Sequence, residues 1–361
     1  MSDNTEALLR KIRPTKIIYP IIIGLCVVAF MLYKDWDPNI FSQINFSWYS
    51  VLFIFIAFVM MAIRDIGYMA RVKILSDNVL TWKKAFNVII LWEFASAIMP
   101  SAIGGTAVAF LFIWKEGITM GRSTAIVLAT AILDELYFIL MFPLLLILLS
   151  YSDLFAIHDF NQELSFTNKF FYFAIIGFIF KFIFICVVAY GLFINPKGIK
   201  WLLVKIFSLP VLRKFNKGAI KTGDDIITAS DELKTKPFMF WFNAFIATFF
   251  SWTARFWVIN FLILSLLFGV PHNFAPFTFF EHFVIFARQL SMWIMMLVMP
   301  SPGGSGFAEA VFSNYMEDFI PVGFVVIMAL FWRLVSYYPY LLIGVFVLPR
   351  WIKKVSKKKS A

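Results

Sequence analysis

Apolar residues run along this chain in blocks long enough to cross a bilayer, whose hydrocarbon core takes about 20 residues of helix. Long apolar stretches fall at Ile17–Tyr33, Phe46–Ile63, Ser123–Leu149, Phe170–Ile194, Phe238–Phe268 and Pro321–Leu348, which predicts about six full transmembrane helices. The first of these reads as a span and not a cleaved leader. It has no small-residue cleavage site, and Lys34-Asp35-Trp36-Asp37 follows it directly. Two further stretches, Ala85–Phe112 and His282–Phe312, are each broken near the middle by Pro and Gly.

Those breaks are alike. One reads Met99-Pro100-Ser101-Ala102-Ile103-Gly104-Gly105-Thr106, the other Met299-Pro300-Ser301-Pro302-Gly303-Gly304-Ser305-Gly306. Each arm is too short to span alone at ~1.5 Å per residue. Each stretch is therefore one broken spanning helix or a re-entrant hairpin that leaves where it entered.

Loop charge separates the two alternatives. With both stretches re-entrant and the N-terminus inside, segments 1–16, 64–84, 115–122, 196–236 and 350–361 are cytoplasmic and hold 26 Lys and Arg. The outer segments 34–45, 150–169, 269–281 and 313–320 hold only Lys34 and Lys169. If both stretches spanned, the 196–236 loop with its nine Lys and Arg would face outward, against the positive-inside rule. The expected fold class is thus an all-α polytopic membrane protein in which two oppositely oriented re-entrant hairpins form an inverted repeat. Its parts are an N-terminal span within 1–45, a first half 46–194 with hairpin 85–114, a basic loop 195–237, a second half 238–349 with hairpin 281–316, and a basic tail 350–361. Inverted repeats with discontinuous helices typify transporters, and irregular backbone at membrane depth is tolerated only where it lines a cavity or is buried in protein.

Composition agrees. Of 361 residues, 61% are hydrophobic and only 15% charged, against about 25% charged in soluble domains. The net charge of +11 would suggest nucleic acid in a soluble protein, but here it reads as membrane orientation. Divided over the expected topology, it is +17 inside, −6 outside and zero within the membrane. Cys26 and Cys186 both lie in apolar runs, so no disulfide framework is indicated, and the three histidines lack metal-ligand spacing. The basic loop, whose 200–207 segment reads as an interfacial helix, and the lysine-rich tail should attract anionic lipids.

The zero is built from Glu93, Asp134, Glu135, Lys181, Arg255, Arg288, Glu309 and Arg333. Each costs roughly 2.5–3.5 kcal/mol at the centre of a membrane helix on insertion scales, so they are expected inside the bundle, paired or lining a cavity. Gly303, Gly304, Ser305 and Gly306 open the second arm of the later hairpin. Their backbone N–H groups, with Arg288 and Arg333 nearby, make a candidate phosphate site. Gly104, Gly105 and Thr106 repeat the helix start in the first half, with Glu93 on the preceding arm.

Pro100-Ser101-Ala102-Ile103-Gly104-Gly105 and Pro300-Ser301-Pro302-Gly303-Gly304-Ser305-Gly306-Phe307-Ala308-Glu309 resemble the paired motifs of the lysylphosphatidylglycerol synthase transmembrane-region family. The resemblance covers nearly the whole chain and implies a flippase-like membrane domain, here as a stand-alone bacterial relative. Gly303, Gly304 and Glu309 match its late motif, and Pro100, Gly104 and Gly105 its early one. The chain departs from the family in carrying Asp134-Glu135 where Asp-Arg is frequent, and neutral residues after Thr106; both changes remove cations.

The function expected is translocation of an amphiphile with an anionic or zwitterionic headgroup, without catalysis or cofactor. Its expected setting is the bacterial cytoplasmic membrane with both termini inside. Membrane phospholipids are the expected partners and nucleic acid is not, while a homo-oligomer and a separate lipid-synthesising enzyme are compatible. An alternative is an integral-membrane lipid or prenyl transferase using Asp224-Asp225 and Asp231-Glu232 for metal. Those acids lie among lysines and read more simply as a solvated helix face. A third reading is a non-catalytic assembly partner with a vestigial cavity.

Overall fold

The computed structural model describes Tyr33 and residues 47–99, 105–155, 165–209, 216–268, 278–296, 307–321 and 323–357. The span expected at Ile17–Tyr33 therefore lies outside the described residues but for its last position, and residues 100–104 and 297–306, at the Pro/Gly breaks of the two expected hairpins, lie outside them too. Among the described residues there is no strand, and five helical segments are long and apolar enough to cross a membrane.

The first is α1 (Trp48–Leu75), started by Ser47, whose hydroxyl accepts from the Ser50 N–H. It runs 12 residues beyond the Ile63 boundary expected from the apolar run. Arg64, Asp65 and Arg71 end the hydrophobic block without ending the helix. The buried positions Ala57, Met61, Arg64, Tyr68, Arg71, Val72 and Leu75 form one stripe at helical spacing. A segment expected in the cytoplasm thus belongs to the bundle, because its charges find partners there.

Next come α2 (Trp82–Ile98) and α3 (Thr106–Lys115). Lys84 Nζ donates to the Glu116 carbonyl at 3.0 Å, and at the other end Gly105 lies against Ser96. The two arms therefore run side by side in opposite directions. Then follow α4 (Met120–Leu148), the short α5 (Tyr151–Phe155) and α6 (Ser165–Ala189), which continues as a π-helical turn to Ile194. Two amphipathic helices, α7 (Pro196–Phe207) and α8 (Asn216–Lys234), pair within the basic loop. The long α9 (Phe238–Leu267) precedes a second short pair, α10 (Phe279–Met296) and α11 (Phe307–Met316). The last span, Val325–Val355, consists of α12 (Val325–Ser336) and α13 (Tyr338–Lys357), interrupted at Tyr337.

Element lengths recur in order. Helices of 28, 17, 10 and 29 residues in the first half meet counterparts of 30, 18 and 10 residues and a 31-residue span in the second. The two leading helices, α1 and α9, lie antiparallel along most of their length. Tyr49 meets Phe268 at 5.5 Å between ring centroids, Ser251 donates to the Arg64 carbonyl at 2.7 Å, and Arg71 reaches Thr248 at 3.2 Å. Small residues permit this approach: a Cβ on Gly67 would lie 2.7 Å from the Ala247 carbonyl oxygen. Gly67→Val should therefore force the pair apart and cost about 1–3 kcal/mol by overpacking, read as a lower melting temperature in detergent.

At the end of α1, Asp77 and Asn78 take positive φ angles of 51° and 61°. Asp77 accepts from Arg122 at 2.6 Å and from Lys236 at 2.7 Å. Glu232 meets the same two cations at 3.1 and 3.6 Å, so the turn after α1, the start of α4 and the end of α8 are tied at one end of the bundle. Asp224 pairs with Lys200 and Asp231 with Lys234. Asp224 thus links α8 to α7 while Asp231 pairs within its own helix, and no group of three or more metal-ligating side chains occurs among the described residues.

Candidate functional site: a charged cavity inside the bundle

A cavity of about 250 Å³ lies between these helices. Helix α1 lines it with Arg64, Tyr68 and Arg71, α2 with Trp92, Glu93 and Ser96, and α3 with Thr106. Helix α4 adds Asp134, Glu135 and Phe138, and α6 adds Lys181. Trp252 and Arg255 come from α9, Trp293 from α10, and Trp332, Arg333, Tyr337 and Tyr340 from the last span. Both halves of the chain thus meet here, with arginines, acids and indoles among the lining residues.

Charged groups in a bundle interior persist when they are paired and hydrogen-bonded, and three ion-pair clusters satisfy that condition. Arg64, 1% exposed, reaches Asp65 at 2.8 Å, Glu93 at 2.6 Å and the Tyr340 hydroxyl at 2.8 Å, while that hydroxyl donates to Asp65 at 2.9 Å. Arg71 grips Asp134 through two nitrogens at 2.5 and 3.3 Å, and the Trp252 indole N–H donates to the same carboxylate at 2.7 Å. Lys181 meets both oxygens of Glu135 at 2.9 and 3.0 Å and lies over the Phe138 ring at 4.2 Å.

Two further arginines rest on aromatic faces. The Arg255 guanidinium is 4.1 Å from the Trp293 ring centroid and 5.7 Å from that of Trp252. That of Arg333 lies 5.1 Å from the Trp332 centroid and 4.8 Å from that of Tyr337.

Of the residues expected from sequence, Glu93, Thr106, Asp134, Glu135, Lys181, Arg255 and Arg333 converge on this cavity. Gly105 is described but closes the α2–α3 pair against Ser96, where a Cβ would lie 2.7 Å from the Ser96 Cα. Pro100, Ser101, Gly104, Gly303, Gly304, Ser305 and Gly306, and the side chain of Glu309, lie outside the described residues.

Arg288 is not among the cavity-lining residues. It is buried, donating to the Asp153 carbonyl at 2.7 Å, the Tyr315 carbonyl at 3.0 Å and Asp318 at 2.6 Å. It ties α10 to the end of α11 and to α5. Because Arg288 is eight residues before the end of α10 and Tyr315 eight after the start of α11, this bond also sets the two arms antiparallel.

Sequence reasoning missed Arg64, Asp65, Tyr68, Arg71 and the tryptophans. The signal was present. Arg64, Tyr68 and Arg71 stand at i, i+4 and i+7, one helical face continuing the apolar stripe of the preceding turns.

This geometry defines a class: a multi-pass α-helical membrane protein with a charged, aromatic-walled cavity in its interior. Residues 17–344 match the model of the family described as the lysylphosphatidylglycerol synthase TM region, and the chain belongs to that family. A UPF0104 membrane protein of Archaeoglobus fulgidus is 25% identical over 337 residues, covering 90% of this chain and 93% of the relative. No solved structure matches the chain.

Proposed function

We propose that this protein is a lipid translocase, moving a phospholipid or similar amphiphile with an anionic or zwitterionic headgroup between leaflets. The carrying observation is the cavity: a chamber of about 250 Å³, lined by aromatic rings with charged groups among them, inside a bundle of membrane-length helices. Charged groups at such depth are costly and mark substrate pathways. The headgroup would use the chamber while its tails stay in the bilayer.

The antiparallel short pairs α2–α3 and α10–α11, the matched element lengths and the antiparallel α1–α9 contact all favour two oppositely inserted hairpins in an inverted repeat. The basic loop and tail favour cytoplasmic termini, in an inner membrane. On this reading the protein is not an enzyme. Asp224 and Glu232 of α8 tie it to α7 and α4, and phospholipids are the substrates, supplied by a separate lipid-synthesising enzyme.

The test reconstitutes the purified protein in phosphatidylcholine vesicles carrying headgroup-labelled phosphatidylglycerol or phosphatidylethanolamine, and follows dithionite quenching. Headgroup exchange should exceed that of protein-free vesicles for at least one of the two lipids. Equal rates for both would overturn the reading.

A further inference from the structure

The cavity's cations are not equivalent. Arg64, Arg71 and Lys181 each hold a carboxylate oxygen at 2.9 Å or less. Around Arg255, no described residue offers a carboxylate oxygen within 4.0 Å or a hydrogen-bond acceptor; the Trp293 and Trp252 rings lie 4.1 and 5.7 Å from its guanidinium carbon. It sits midway along α9, at the eighteenth of 30 residues, so bulk water at the helix ends does not explain its charge.

We infer that Arg255 is the receptor for the headgroup phosphate, and that the ligand it takes is a phosphodiester. This deepens the translocase reading and rests on it. An indole face attracts a guanidinium through its π-electrons and leaves the N–H donors free, because all five lie in the guanidinium plane. Two of them match the oxygens of a phosphodiester in a bidentate fork. The tryptophans thus hold the cation in place without neutralising it, whereas a carboxylate in their position would compete with the lipid.

Lys181 has the opposite arrangement, an ammonium closed onto both oxygens of Glu135. Two rings connect the sites: Lys181 lies over Phe138, which meets Trp252 at 4.8 Å, and Arg255 lies 5.7 Å from the Trp252 centroid.

The proposal separates Arg255 from its neighbours by what its loss does. Since no ion pair among the described residues is broken, Arg255→Gln should elute and melt as the wild type does. Retention of phosphatidylglycerol, measured by native mass spectrometry after titration with defined lipid, should fall about tenfold or more, the scale of lost charge-assisted hydrogen bonds. Arg255→Lys, which keeps the charge and loses the fork, should fall in between.

Three arms complete the test. Diacylglycerol, with the same tails and no phosphate, should bind both proteins equally and weakly. Glycerophosphoglycerol and inorganic phosphate, at concentrations matched to the lipid, should not displace it; displacement by either would overturn the lipid as the source of the phosphate. Phosphatidylglycerol binding unchanged in Arg255→Gln overturns the site. In the vesicle assay, wild-type flux that Arg255→Gln leaves intact overturns the site alone. Absent wild-type flux with Arg255-dependent binding overturns the translocase reading and leaves the receptor standing.

Discussion

Asp134→Ala should abolish the recovery of monodisperse protein. Arg71 is 4% exposed. Without Asp134 it keeps the Thr248 hydroxyl at 3.2 Å and the face of the Tyr68 ring at 4.6 Å, neither of them charged, and the Trp252 N–H loses its acceptor. Breaking a buried pair from one side costs about 3–5 kcal/mol, because the surviving charge is left uncompensated. That is a large share of the 5–15 kcal/mol typical of whole-domain stability.

The same physics predicts the rescue. Arg71→Met with Asp134→Asn removes both charges, fills the arginine's volume and leaves an amide oxygen to accept from Trp252. The double variant should recover most of the stability lost in Asp134→Ala, since replacing a buried pair by neutral groups is often close to neutral. Size-exclusion profiles and thermal unfolding in detergent measure all three proteins. A double variant as unstable as Asp134→Ala would mean that the charges themselves, and not their balance, hold α1, α4 and α9 together.

The apolar blocks of the chain gave the spans to within a few residues at α4, α6 and α9, because membrane helices have to be hydrophobic over a fixed length. The start of α1 was equally legible and its end was not. Hydrophobicity falls at Arg64 while the helix continues to Leu75. A window that averages polarity cannot tell a charge entering water from one entering a paired interior. Helical phase can, and Arg64, Tyr68 and Arg71 are in phase with Ala57 and Met61.

The cavity was half legible for the same reason. Glu93, Asp134, Glu135, Lys181 and Arg255 stand out because each interrupts an apolar run. Their partner choices do not follow from the sequence, since they depend on which helices cross: Glu93 pairs with Arg64 at 2.6 Å, and Asp134 with Arg71 rather than with a neighbour on its own helix. Tryptophans are ordinary in membrane helices, and only the fold sets Trp252 and Trp293 against Arg255.

Arg288 supplies the second large effect and the sharpest contrast. Its position on the arm before the glycine-rich break suggested a headgroup contact. The fold instead makes it a strut, with Asp153 and Tyr315 contributing carbonyls and Asp318 a carboxylate. The Phe319 ring packs against it, 5.0 Å from the guanidinium carbon. Arg288→Met keeps most of the volume and deletes every one of those bonds. It leaves the Asp153 and Tyr315 carbonyls without that donor, about 1–3 kcal/mol for each buried group left unsatisfied, while Asp318, whose side chain is 22% exposed, keeps access to water. The expected result is a protein that melts earlier and yields less folded material. The molecules that do fold should translocate labelled lipid at the wild-type rate and with the same headgroup preference. Arg255→Gln should do the reverse, normal in stability and deficient in flux. Measuring melting temperature and flux per folded molecule for both variants places each on one axis or the other. An Arg288→Met protein as stable as the wild type but deficient only in headgroup movement would put Arg288 on the lipid path, and would require the α10–α11 pair to open toward the cavity during transport.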